Sequence, residues 1–205
     1  MPSESKDTHF ELNKYIEKYK EEWITNCNNS KKIKTKKGFP ISFKFSIKKD
    51  QDTFSCTLEK KMDNPADFEN SIYIIRLNFI SDSNQTNKIQ DKKLIAIRNK
   101  LSEEKKLKPD FNYPKVNKQN SEILYIGSSQ KDLKARLCLH MGGKKGSNNK
   151  STYALRLNKW FSGKVEIQII AFDIPEQDKH LLQIIEDSCA FSLQPMYGKT
   201  GGNNK

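Results

Sequence analysis

From Phe39 to Lys48 the chain alternates without a break. Ile41, Phe43, Phe45 and Ile47 fall on one side of an extended segment, and Ser42, Lys44, Ser46 and Lys48 on the other. A period of two places successive side chains on opposite faces, so this segment predicts a strand with one buried face. Asp50-Gln51-Asp52 supplies a turn, and Phe54, Cys56 and Leu58 continue the alternation, which predicts a hairpin. Ser71 to Ile80 is a run of β-branched and apolar residues that predicts another strand. Ile123-Leu124-Tyr125-Ile126 is its expected partner, ending at Gly127, and Val165, Ile167 and Ile169 mark a further strand between Lys164 and Phe172.

Elsewhere the apolar positions recur at helical spacing. Leu12, Ile16, Tyr19 and Trp23 predict a helix over 8–27, and Leu94, Ile97 and Leu101 a basic one over 90–106. Leu155, Leu157, Trp160 and Phe161 predict a short helix over 152–161. Leu182, Ile185, Cys189 and Leu193 predict a last helix, opened by Pro175 and Glu176 and stopped by Gln194-Pro195. After Gly127 the period changes, and Ser129 followed by Asp132 is a helix-start signature, since both side chains can accept from backbone N–H groups that no earlier turn reaches. On that helix Leu133 and Leu137 share the inward stripe, while Arg136 and His140 lie one turn apart on a neighbouring face.

Charge gives the first functional clue. The 205 residues carry 37 Lys and Arg against 25 Asp and Glu, a net charge of +12. That excess suits a polyanionic partner, nucleic acid before membrane, because no basic amphipathic helix with a Trp/Leu/Phe face is evident. Lys31 to Lys37 and Gly142 to Lys150 are basic loops that either grip a phosphate backbone or are simply solvated. The four cysteines are scattered with no C-x-x-C pair and read as small apolar core residues of a reduced protein. No apolar run is long enough to span a bilayer, and a cytoplasmic location is expected.

Glu186 lies inside the apolar stripe of the last helix. A carboxylate there is costly unless a cation meets it, and the alternatives are a structural Arg or Lys and a divalent metal. Asp63-Asn-Pro-Ala-Asp67 breaks the strand pattern and is the expected boundary between an N-terminal helix-plus-hairpin unit, 1–66, and the main domain, 67–205.

Taken in order, these motifs resemble the GIY-YIG nuclease family. Ser71-Ile72-Tyr73 is similar to the first motif with Ser for Gly, and Tyr125-Ile126-Gly127 matches the second. Arg136, His140 and Glu186, followed by Pro195, fall where the family's later residues do. The family's late asparagine aligns with Gly198, and Asn203 or Asn204 would stand in for it. The resemblance begins near Glu69, and the segment between the two tyrosine motifs is longer than in the compact family pattern. It implies an α+β fold with a three-stranded antiparallel sheet flanked by helices, carrying a helical insertion at about 81–120 between its first two strands.

It also implies a DNA endonuclease that hydrolyses phosphodiesters with one divalent metal, Mg²⁺ or Mn²⁺, on Glu186. Arg136 would clamp the phosphate, and Tyr73 would orient or deprotonate water with Tyr125 and His140 beside it. All four of Tyr73, Tyr125, Arg136 and Glu186 are expected on one concave surface. A restriction-type enzyme on double-stranded DNA, with homodimers cutting both strands, is one form of this reading. The alternatives are a nucleic-acid-binding protein that keeps the fold but does not cut, and a structure-specific repair or recombination nuclease. A third, from a different class, is a metal-free structural protein in which Glu186 pairs with Arg136. The expected DNA contacts are Lys92, Lys93, Arg98 and Lys100 on the insertion helix and Lys144 and Lys145 in the glycine-rich loop.

Overall fold

A computed structural model of the chain describes residues 33–50, 62, 64–78, 87–143 and 153–198. The expected helix at 8–27, the strand at 54–58, Lys144, Lys145, Asn203 and Asn204 lie outside the described residues.

The described chain is α+β. Its strands are β1 (Lys34–Thr35), β2 (Ile41–Ile47), β3 (Ser71–Leu77), β4 (Ile123–Ser129) and β5 (Gly163–Asp173). Its helices are α1 (Asn87–Leu107), α2 (Leu133–Met141), α3 (Leu157–Trp160) and α4 (Leu181–Leu193). All strand pairings are antiparallel: β3 pairs with β4 on one edge and β5 on the other, and β5 pairs on its far edge with both β2 and β1. The sheet therefore has five strands where three were expected. The physical reason is that β5 runs for 11 residues and has a second free edge, onto which β2 adds Ile41↔Ile169 through Ile47↔Gly163. A segment assigned to the N-terminal unit is thus a strand of the same sheet.

Strand alternation divides the core into two. Tyr73, Ile75 and Leu77 of β3, Val165, Ile167 and Ile169 of β5, and Phe45 and Ile47 of β2 point to one face, where Leu94 and Leu101 of α1, Leu133 and Leu137 of α2, and Leu157 and Trp160 of α3 cover them. Ile72, Ile74 and Ile126 point to the other, where Leu182, Ile185 and Cys189 of α4 pack on them. Over β2 and the first half of β5 this second face is polar, through Ser42, Lys44 and Ser46 and through Lys164, Glu166 and Gln168, while Phe172 of β5 packs on the second cluster.

Three expected boundaries move. The last helix begins at Leu181, after a separate 3-10 turn at Glu176–Asp178, rather than at Pro175. Ser129 does not cap α2, because it stays in the β3–β4 ladder opposite Ser71, and Asp132 caps it instead by accepting from the Ala135 amide at 3.0 Å. Residues 153–156 are not helical: the Ala154 amide bonds to Asn112 O, the Leu155 amide turns to a histidine, and Arg156 is left-handed at φ 50°. Among the described residues no helix is long and apolar enough to cross a membrane.

Candidate active site

The cluster forms where β3 begins and β4 ends. Tyr73 sits opposite Gly127, and Ile75 opposite Tyr125, so both tyrosines rise from the α2 face of adjacent strands. Their rings stack with centroids 6.2 Å apart. Glycine is needed opposite Tyr73 for space: a Cβ at 127 would stand 2.6 Å from Tyr73 Cζ and 2.8 Å from Tyr125 Cε1.

α2 brings the second pair. His140 is buried, its ring centroid 4.4 Å from that of Tyr125, and its Nε2 lies 2.9 Å from the Tyr73 hydroxyl. The Leu155 amide donates to His140 Nδ1 at 3.2 Å. A backbone amide can only donate, so Nδ1 is the acceptor, and the proton of the neutral ring resides on Nε2. His140 therefore donates to Tyr73 Oη. Arg136, which also only donates, hydrogen-bonds to the same tyrosine. Two donors thus converge on one phenolic oxygen.

Electrostatics hold both groups neutral. Burial pushes His140 down to about 3, and the nearby charges of Arg136 and Arg156 add to the shift. Burial raises Tyr73 well above its ordinary value, Tyr125 and Glu186 raise it further, and Arg136 opposes them. Tyr125 is pushed up to about 12, chiefly by burial and then by Glu186. As described, Tyr73 is a phenol with no exposed surface.

Glu186 arrives from the other side. α4 packs on the opposite face of the sheet, and the buried Glu186 carboxylate accepts from the hydroxyl of Ser128, which follows Ile126 on that face. The expectation of a single concave surface is therefore corrected: Tyr73, Tyr125, Arg136 and His140 share one face, and Glu186 approaches across the end of β4. Its charge still raises both tyrosines, which sets it within electrostatic reach of them. Among the described residues no group of three His, Cys, Asp or Glu forms a metal cage. One carboxylate beside a half-buried hydroxyl fits the kind of site in which Mg²⁺ keeps most of its waters and takes further oxygens from substrate phosphate.

Gly198, at the expected asparagine position, has φ 96° and lies against the Tyr125 ring, where a Cβ would come within 2.9 Å of Cε2. Lys92, Lys93 and Lys100 are exposed on α1, whereas Arg98 is half-buried and donates to the Lys118 carbonyl, a tie between α1 and the following loop. Sequence reasoning missed Arg156. It is 2% exposed, its guanidinium stacks 4.6 Å from the Phe111 ring centroid, and burial lowers its pKa. Its local signal, an Arg within an apolar run, is the same one that marks Glu186.

No protein-family model, curated protein or solved structure matches this chain.

Proposed function

We propose that the protein is a divalent-metal-dependent DNA endonuclease of the GIY-YIG type, hydrolysing phosphodiester bonds at the end of β4. The observation that carries the reading is the convergence of Arg136 and His140 on the Tyr73 hydroxyl, with Tyr125 stacked beside it. An arginine held by a buried tyrosine keeps the rest of its donor fork for two phosphate oxygens, which lysine could not match. His140, a neutral donor across the ordinary pH range, fixes the Tyr73 ring. For Tyr73 to act as the base it must first give up its own proton, which cationic charge brought near it, Arg136 and a bound metal, would favour against the burial that raises its pKa. The phenolate would then accept a proton from the attacking water. Glu186 and Ser128 would hold the metal, which when bound supplies Lewis-acid stabilisation of charge on phosphate oxygens.

The second reading, a nucleic-acid-binding protein that does not cut, is favoured by the approach of Glu186 from the face opposite Tyr73, which a catalytic site formed on one surface does not expect. The enclosed hydroxyl of Tyr73 and the lack of room for a side chain at 198 favour it too. Incubation of supercoiled plasmid DNA with the protein in Mg²⁺, Mn²⁺ or EDTA separates them. The nuclease reading expects metal-dependent nicking that Glu186→Ala abolishes while DNA affinity persists, because affinity comes mainly from basic surface. No cleavage with either metal, or undiminished cleavage by Glu186→Ala, overturns it.

A further inference from the structure

One cleft among the described residues contains neither Tyr73 nor Tyr125. It is an open groove of about 610 Å³ lined by Ser102, Lys105, Lys106, Tyr113, Lys115, Val116 and Tyr153. Three of these are lysines and none is acidic. Lys105 and Lys106 have a structural explanation, since cations in the last turn of a helix complement its dipole. Lys115 and Tyr153 have none. Lys115 is exposed on a loop, and Tyr153 shows 61% of its surface to solvent although its neighbours Ala154 and Leu155 are wholly buried.

The walls are fixed. Tyr113 donates its hydroxyl to buried Glu104, and Lys105 Nζ donates to the Pro114 carbonyl, which spans the groove floor between α1 and the loop. The groove also adjoins the candidate active site along two short paths. The Lys115 carbonyl accepts from the Gly198 amide at 2.8 Å, and Gly198 lies against the Tyr125 ring. Tyr153 stands two residues before Leu155, whose amide holds His140.

We infer that this groove binds an unpaired stretch of DNA flanking the bond to be cut, its phosphates on Lys106 and Lys115 and a base stacked on Tyr153. The inference rests on the nucleic-acid reading above and adds the form of the substrate: a duplex with a single-stranded flank. An exposed aromatic beside a basic groove is the arrangement that binds single strands, because every base offers a face to stack whereas a paired base does not. The groove is too open to enclose a small anion, and a tyrosine adds nothing to binding one.

The test is fluorescence anisotropy with the full chain in EDTA, so that nothing is cut. Three probes are compared: a blunt duplex, the same duplex with a single-stranded extension, and that extension made abasic. The extension is expected to bind more tightly than the blunt duplex. Removing its bases, or Tyr153→Ala, should weaken that binding by about five- to 150-fold, and Tyr153→Phe should retain it. Lys106→Gln with Lys115→Gln should lower the salt slope on the extension by about 0.7 for each phosphate no longer neutralised. Equal binding of extended and blunt probes, or a preference unchanged by Tyr153→Ala, overturns the inference and leaves the plasmid result standing. A protein that keeps the Tyr153-dependent preference yet cuts nothing keeps the groove and loses the nuclease reading.

Discussion

Gly127→Ala is the most direct single perturbation of the candidate site. Ordinary carbon contacts begin near 3.4 Å, and the new methyl would stand 2.6 Å from Tyr73 Cζ, so the ring must withdraw by most of an ångström. It has nowhere to go, because Tyr73 is wholly buried and held by His140 at 2.9 Å. Backbone strain plays no part, since the position lies within an extended ladder. Overpacking of this kind costs about 1–3 kcal/mol. For a chain of this length that corresponds to roughly 2–12 °C in Tm. Moving a positioned group by about 1 Å costs on the order of 100-fold in rate. Thermal unfolding and the rate of plasmid nicking measure the two effects separately. The same substitution in a Tyr73→Phe background removes the nearest atom, so the stability cost should be smaller there, and the difference is the coupling energy of the pair. An alanine variant that melts and cuts like its parent would refute the reasoning, and an equal cost in both backgrounds would place the strain somewhere other than Tyr73.

His140 sets a pH dependence of stability. Its folded pKa, about 3, lies below the unfolded value near 6.5, so the unfolded chain binds the extra proton between those limits and stability falls as pH drops through that window. Denaturant unfolding should show a loss of up to about 1.4 kcal/mol per pH unit there that His140→Gln lacks; parallel profiles would rule it out. Asp132→Ala removes the hydrogen bond to the Ala135 amide and should cost about 1 kcal/mol, measured as a lower urea midpoint at unchanged m. A variant as stable as its parent would show that another group caps α2.

The strands at 41–47, 71–77 and 163–173 are legible because each keeps one buried face, which period two records directly. Which edges they join is not. Alternation in β2 is equally satisfied by a local hairpin or by pairing with β5, more than a hundred residues away. The stripe Leu155, Leu157, Trp160 and Phe161 reads as helix, and all four are buried, yet only 157–160 is helical. The amide of Leu155 is spent on His140, a partner 15 residues back that no local pattern records. In the candidate site, Arg136 and His140 are legible because one helical turn separates them, and Glu186 because a carboxylate interrupts an apolar stripe. That Glu186 comes from the opposite face is not, since helix periodicity does not say which side of a sheet a helix covers.

β5 also orders events in time. Both β2 and β3 pair along it, and among the described strands it is the last to be synthesised. At about 5–20 residues per second, β2 waits on the order of 5–25 s after its own synthesis for the strand that completes it. Until β5 emerges, Phe43, Phe45 and Ile47 lack the edge that β5 provides, and an apolar strand without its edge is the kind that recruits other chains. Lys44 and Lys48 then serve the nascent protein as well as the finished one, because a charged outer face discourages neighbouring ribbons on a polysome from zipping together before β5 emerges.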